Sequence, residues 1–197
     1  EGIWQLGEEA AAAANGQEPG DIKVQDVDGN GVITTDDRII YSQRPDVTFG
    51  FNNTFNYKGF DLSVFLYARL GQWIAYDYNT TYRINALENG GNVDYWTPEN
   101  PTNAFPRPNK SKSYTQVTYY STLKYEDGSF FKIRDITLGY TFKPELLKHL
   151  NLSRLRVYAT AKNFFTFSKI DNYDPEQGGS ISFPMTKQLV FGLNVEF

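Results

Sequence analysis

The chemistry most plainly written in this chain is that of a hard cation. Residues 26–37, DVDGNGVITTDD, set Asp26, Asp28 and Asn30 at alternate positions, Gly31 sixth, Thr34 ninth and Asp37 twelfth. Ca²⁺ takes about six to eight oxygen ligands, alternate loop residues can converge on one point, and a glycine at the sixth position lets the chain turn sharply. With the carbonyl of Val32 in seventh place, the metal set is Asp26, Asp28, Asn30, Val32, Thr34 and Asp37. Two features depart from the helix-flanked form of such loops. The twelfth residue is Asp, not the longer Glu, and Ile22-Lys23-Val24 ahead of the loop reads as extended chain. The competing reading is a polar turn, because Asp-Gly and Asn-Gly punctuate loops generally. A bound Ca²⁺ of this ligand makeup suits the high calcium outside cells.

A second group of side chains offers recognition. Trp73, Tyr76, Tyr78, Tyr82, Tyr95 and Trp96 fall in a long polar stretch, 71–128, that also carries Gly90-Gly91 and the proline-rich YWTPENPTNAFPRPNK. Their rings present apolar faces with a polar handle, which suits sugars or peptides, and equally suits packing among loops. A stretch of this length without regular structure is normally functional or disordered. Catalysis has little support. His149 is the sole histidine and sits in the short connection KHLNL, cysteine is absent, and no serine lies in a nucleophile-elbow context. The Asp and Glu residues are scattered over loops, so no acid–base pair stands out. The chain is expected to be no enzyme, and a formal net charge of −4 gives no case for nucleic acid.

The elements that position these groups are strands. TKQLVFGLNVEF, 186–197, alternates Leu189, Phe191, Leu193, Val195 and Phe197 with Val190, Gly192, Asn194 and Glu196. A strand that closes on a large apolar ring needs a second sheet or lipid to cover it, and Phe191, Leu193, Val195 and Phe197 are read as membrane-facing. VTFGFNNTFNY and FDLSVFLYARL make a hairpin about the turn Lys58-Gly59, with Asn53 a misfit on the apolar side. FFKIRDITLGYTF alternates through Ile136, Leu138, Tyr140 and Phe142. Upstream, Lys132 and Arg134 fall on the apolar parity, which predicts a bulge or an exit from the apolar zone. LRVYATAKNFFTF carries Leu155, Val157, Ala159, Ala161, Phe165 and Phe167 on one side, with Asn163 out of place. Five strands are expected at 46–57, 60–70, 129–142, 154–167 and 185–197. Residues 1–45 form a separate segment with a short alanine-rich helix and the calcium-type loop, and 71–128 and 168–184 are long loops.

Connections alternate tight, very long, moderately short and long, so the short ones and the C-terminus share one side. Strands of this length exceed the ~5–6 residue mode of soluble sheets. Aromatics reach 16 % while the mean hydropathy is −0.50, as expected where alternation halves the apparent apolarity of a barrel wall. The apolar face amounts to roughly 1,500–3,000 Å², against a few hundred Å² that monomers leave bare, so something covers it. Strand length, loop segregation and aromatics near strand ends (Tyr57, Phe60, Tyr140, Phe142, Phe197) point to lipid. The fold class is therefore all-β, the wall of an antiparallel transmembrane β-barrel with long extracellular loops. Closure needs about eight strands or more, so the chain, which opens at Glu1 without Met or signal peptide, is expected to be part of something longer. On such a wall Asn52, Asn56, Ser63, Tyr67, Lys162 and Thr166 face the lumen. The runner-up is a secreted, calcium-stabilised β-sandwich that binds carbohydrate, whose second sheet would cover the apolar face. A third reading is a structural barrel without energy coupling.

Several stretches together resemble a known family. GIWQ…EAA…NGQEPGDIKVQDVDGNGVI, RPDVTFGFNNTFNYKGFDLSVFLY, YWTPENPTNAFPRP, YEDGSFFKIRDITLGYTF, RVYATAKNFFTFS…YDPE and the final GLNVEF are similar, in order and over essentially the whole chain, to the C-terminal end of SusC/RagA-type TonB-dependent outer-membrane transporters. The resemblance implies the last five strands of a barrel of about 22, with an N-terminal plug in the lumen. It implies a SusD-like surface lipoprotein as partner, energy drawn through the TonB complex by the N-terminal part, and import of glycans or peptides. The location it implies is the outer membrane of a Gram-negative cell, with the C-terminus in the periplasm.

Overall fold

The computed structural model describes residues 1–79, 92–108, 120–183 and 185–197. The chain forms two compact units, Glu1–Tyr41 with Ala75–Glu126, and Ser42–Ile74 with Asp127–Phe197. The described residues of 75–126 thus share a unit with Glu1–Tyr41.

In the first unit β1 (Gly2–Ile3) pairs antiparallel with β2 (Ile22–Lys23), and α1 (Glu9–Ala14) lies between them in sequence. Alanine favours the helix; Asn15 and Gly16, the latter at φ 69°, end it. With so little regular structure, side chains carry the packing. Ile3, Ile22 and Trp96 form a buried cluster with Leu123 against it. The Trp96 indole donates to Gln5 Oε1 at 2.8 Å and the Trp4 indole to Gln17 Oε1 at 2.6 Å, so each large ring is buried with its one donor satisfied.

The second unit is a five-stranded antiparallel sheet in the order β3-β4-β7-β8-β9, made of β3 (Val47–Tyr57), β4 (Phe60–Leu70), β7 (Phe130–Thr141), β8 (Arg154–Ser168) and β9 (Gln188–Glu196). Short strands β5 (Trp73–Ala75) and β6 (Tyr125–Asp127) carry the chain out of this unit and back. Tyr57 pairs with Phe60 across a two-residue turn in which Lys58 and Gly59 both have positive φ, 48° and 90°, the geometry that matches strand twist. Between β7 and β8 the one-turn helix α2 (Pro144–Leu147) tucks in Leu147, 2 % exposed. This connection, the β3–β4 turn and the end of β9 all lie at the same end of the sheet.

The register makes one face continuous. One row runs Tyr57–Phe60–Tyr140–Val157–Leu193, the next Phe55–Leu62–Leu138–Ala159–Phe191, and the third Asn53–Val64–Ile136–Ala161–Leu189. Asn53 is thus the one amide in an otherwise apolar field. Alternation holds on β7 because its ladder with β4 slips where Phe65 pairs with Asp135 and Leu66 with Ile133. Arg134 is the extra residue. The slip returns Phe131 and Ile133 to the apolar face and sends Lys132 to the polar one, the bulge that the parity of Lys132 and Arg134 calls for.

That apolar face is bare. Phe55 is 60 % exposed, Leu138 52 %, Phe191 74 %, Leu193 68 % and Phe197 94 %. A β-sandwich would bury these positions under a second sheet; among the described residues nothing covers them.

Candidate functional site

The 26–37 loop closes as its spacing requires. Asp26 accepts the Gly29 and Gly31 amides, both at 2.7 Å, on its two carboxylate oxygens. Gly29 and Gly31 have φ of 75° and 82°, so a side chain at either position would be strained. Asp28 accepts the Asn30 amide at 3.0 Å, and Asn30 accepts the Val32 amide at 2.7 Å. The distal end is tied back by Asp37, which accepts from Val27 at 2.8 Å and from Thr34 at 2.7 Å. These backbone donors, Thr34 first and Val27 next, hold the Asp37 carboxyl below the usual carboxylate range. The Thr34 hydroxyl accepts the Asp36 amide and caps the 3₁₀ turn Thr35–Asp37.

Asp26, Asp28 and Asp37 each bring a carboxylate oxygen within 4.8 Å of the others. None of the three is ion-paired with a Lys or Arg among the described residues. Three carboxylates so close repel one another unless a cation or protons intervene, and an all-oxygen donor set fits a hard divalent ion. The residues present therefore fit Ca²⁺.

The six aromatic candidates are dispersed. Trp96 belongs to the buried cluster and Tyr76 is 3 % exposed, so in this structure neither ring is an open platform. Tyr78 stacks on Tyr76 at 5.8 Å. Tyr95 and Trp73 are exposed, and Tyr82 lies outside the described residues. Phe191, Leu193 and Val195 stand on the exposed apolar face of β9, with Phe197 just beyond its end.

On the polar face the register sets Asn52, Asn56, Ser63, Tyr67, Lys162 and Thr166 together. Two charge networks there were not read from the sequence. Asp61 receives a bidentate pair from Arg156, 2.8 Å to Nε and 2.5 Å to Nη2, reaching across β7 above Gly139. A Cβ on Gly139 would lie 2.5 Å from both the Arg156 Nη2 and Asp61 Oδ1 atoms; only glycine leaves room. Lys132, 0 % exposed, donates to Asp174 at 2.6 Å and Glu176 at 2.8 Å, and Arg134 reaches Glu176 at 3.0 Å. These partners stand some 42 residues apart in the chain, and no local pattern announces them.

The sheet is open and its apolar face bare, and relatives of the chain share both its sequence and its fold. The chain is 31 % identical to TonB-dependent receptor P3 of Formosa agariphila across its whole length, which spans 21 % of that receptor. It is 31 % identical to TonB-dependent receptor SusC of Bacteroides thetaiotaomicron over 87 % of the chain and 17 % of that protein. Its coordinates overlie the RagAB peptide importer in the open-open state with a TM-score of 0.65 at 26 % identity, over 88 % of this chain and 20 % of that one. This chain belongs to the SusC/RagA family of TonB-dependent receptors. No family model matches it. The chain spans about a fifth of the curated relatives it matches, and the five strands of this SusC/RagA portion form an open sheet.

Proposed function

We propose that this chain forms part of the barrel wall of an outer-membrane importer that brings oligosaccharides or peptides into the periplasm. The observation that carries the reading is the continuous apolar face, on which Phe55, Leu138, Phe191 and Leu193 stand more than half exposed. Its height fits a bilayer. The apolar-face pairs from Val47–Leu70 to Tyr57–Phe60 span the 11 residues of β3, roughly 33 Å of strand, or about 25 Å once tilted by ~40°, the height of an outer-membrane apolar band. Strands on either edge, β3 and β9, continue into further wall, to the family's total of about 22. The C-terminal end and the short connections face the periplasm, and the loops at the other end face outward.

In the whole protein a SusD-like surface lipoprotein covers the outer mouth and the TonB complex supplies energy through the N-terminal part. Support for both comes from the SusC and RagAB likeness. Trp73, Tyr78 and Tyr95 each offer a ring to cargo, and the polar face of the sheet lines the path. Ca²⁺ would be held by Asp26, Asp28, Asn30, Thr34, Asp37 and the Val32 carbonyl, and when bound would supply charge neutralisation and rigidity to the loop. The test is uptake. A strain lacking the full-length protein should lose growth on one oligosaccharide or peptide source, with the same loss on deleting TonB, and the protein should sediment with outer membranes. Recovery in the soluble fraction without detergent would overturn the reading.

A further inference from the structure

The chain holds three Asn-Gly pairs, at 15–16, 30–31 and 89–90, the last outside the described residues. In such a pair the glycine backbone nitrogen can attack the asparagine side-chain carbonyl carbon. The ring that forms has five members, and glycine brings no side chain to hinder the approach. How fast this happens depends on what surrounds the attacking nitrogen, the carbonyl oxygen that takes the charge, and the amide nitrogen that leaves.

At Asn30 each of these atoms has a partner. The Gly31 N–H donates to Asp26 Oδ2 at 2.7 Å, so a carboxylate already sits on the proton that must be lost. Asn30 Oδ1 accepts the Val32 N–H at 2.7 Å, a donor on the oxygen where negative charge develops. That bond also folds the side chain back over the Gly31 peptide. Nδ2 donates to Asp28 Oδ2 at 2.7 Å, which fixes the rotation of the amide. Asn30 and Gly31 are exposed, so water reaches the product. Asn15 lacks this arrangement. The Gly16 N–H donates to the neutral Ala13 carbonyl at 3.0 Å and Asn15 Nδ2 to the Ala11 carbonyl at 3.0 Å. Among the described residues no N–H donates to Asn15 Oδ1.

We propose that Asn30 is a site of self-catalysed deamidation. The Gly31 nitrogen bonds to Asn30 Cγ as its proton passes to Asp26. The Cγ–Nδ2 bond then breaks, Nδ2 takes that proton and departs as ammonia, and a cyclic imide remains. Water opens the imide at either carbonyl, giving aspartate or isoaspartate with no change of oxidation state. Aspartate adds a carboxylate beside Asp26, Asp28 and Asp37. Isoaspartate lengthens the backbone by one carbon between the ligand positions, so either product alters the loop.

The test keeps the full-length protein in detergent at neutral pH with chelator, which leaves the Asp26 oxygens free, and follows tryptic peptides by mass spectrometry. Asn30 is the only asparagine between Lys23 and Arg38, and Asn15 the only one from Glu1 to Lys23. In the folded protein Asn30 should gain the mass unit that separates acid from amide about tenfold or more faster than Asn15. In guanidinium chloride the two should convert at comparable rates, because only the fold distinguishes them. Asp26→Asn keeps an oxygen for the Gly31 N–H but removes the base; it should slow Asn30 about tenfold or more and leave Asn15 unchanged. Equal rates in the folded protein, a rate ratio that survives unfolding, or wild-type speed in Asp26→Asn would overturn the assignment.

Discussion

An arginine walked along β9 should read out depth in a bilayer. Leu189, Phe191 and Leu193 sit in the third, second and first apolar rows from the hairpin end, and the β3–β4 pairs define six such rows. Each two-residue step is about 7 Å of strand, or about 5 Å of depth at a ~40° tilt. Leu189 therefore lies near mid-bilayer and Leu193 near an interface. Arginine on the lipid face costs ~2–4 kcal/mol at the midplane and ~0–1 kcal/mol near the interfaces. Leu189→Arg should thus destabilise strongly, Phe191→Arg less and Leu193→Arg little. Asn194→Arg, on the polar face, should stay within about 0.5 kcal/mol. Reversible urea unfolding of the full-length protein in lipid vesicles measures the series. A flat profile, or a penalty at Leu193 as large as at Leu189, would refute the reasoning, because a packed protein layer charges every buried position alike.

Three further outcomes follow from the same structure. Chelation should speed proteolysis within residues 22–40, and Asp28→Ala should remove the difference between chelated and calcium-loaded samples; identical cleavage with and without chelator in the wild type removes the metal assignment. Asp37 has a lowered pKa, so its stabilisation of the loop is fully present above the unfolded value of about 3.9 and is lost as pH falls through the lower folded value. Pepsin cleavage near Asp37 should therefore rise only below about pH 4, and Asp37→Asn should abolish that rise. Gly139→Ala should displace the Arg156–Asp61 bridge and cost about 1–3 kcal/mol. In a double-mutant cycle with Asp61→Ala the two losses should be markedly less than additive, and simple additivity would mean the bridge is not what the methyl disturbs.

The strands were legible because a half-buried sheet must alternate, and the alternation of Leu189, Phe191, Leu193 and Val195 survives in the structure as one row-by-row face. Arg134 shows how far the pattern reaches. Its wrong parity announces a bulge, but only the register shows that the slip sends Lys132 to two carboxylates. Asn163 read as a misfit for the same reason, with no hint of its positive φ of 58°. The aromatic loop was the least readable part. Trp96 and Tyr76 look, in sequence, like Tyr95 and Trp73, yet the first two are buried and the last two exposed. What buries Trp96 is its packing against Ile3 and Ile22 of the sparse N-terminal segment, a non-local matter that spacing does not encode. The 26–37 loop stands at the other extreme, since short-range hydrogen bonds and two glycines settle its shape from within.

The physical logic of the sheet separates its two faces. One face is nearly all hydrocarbon: in its first three rows the only polar groups are the Asn53 amide and the hydroxyls of Tyr57 and Tyr140. The other gathers its ions into closed groups, Arg156 with Asp61 and Lys132 with Asp174 and Glu176, so that charge stays satisfied along a polar path. The sharpest measurement of which medium touches each face is nitroxide accessibility. This chain contains no cysteine, so single cysteines at 188–196 in the full-length protein, reconstituted in lipid, carry the label. Collisions with oxygen, which concentrates in lipid, should peak at 189, 191 and 193, and collisions with a water-soluble nickel complex should peak at 190, 192 and 194. Odd positions shielded from both reagents would place a protein layer over Leu193 and contradict the membrane wall.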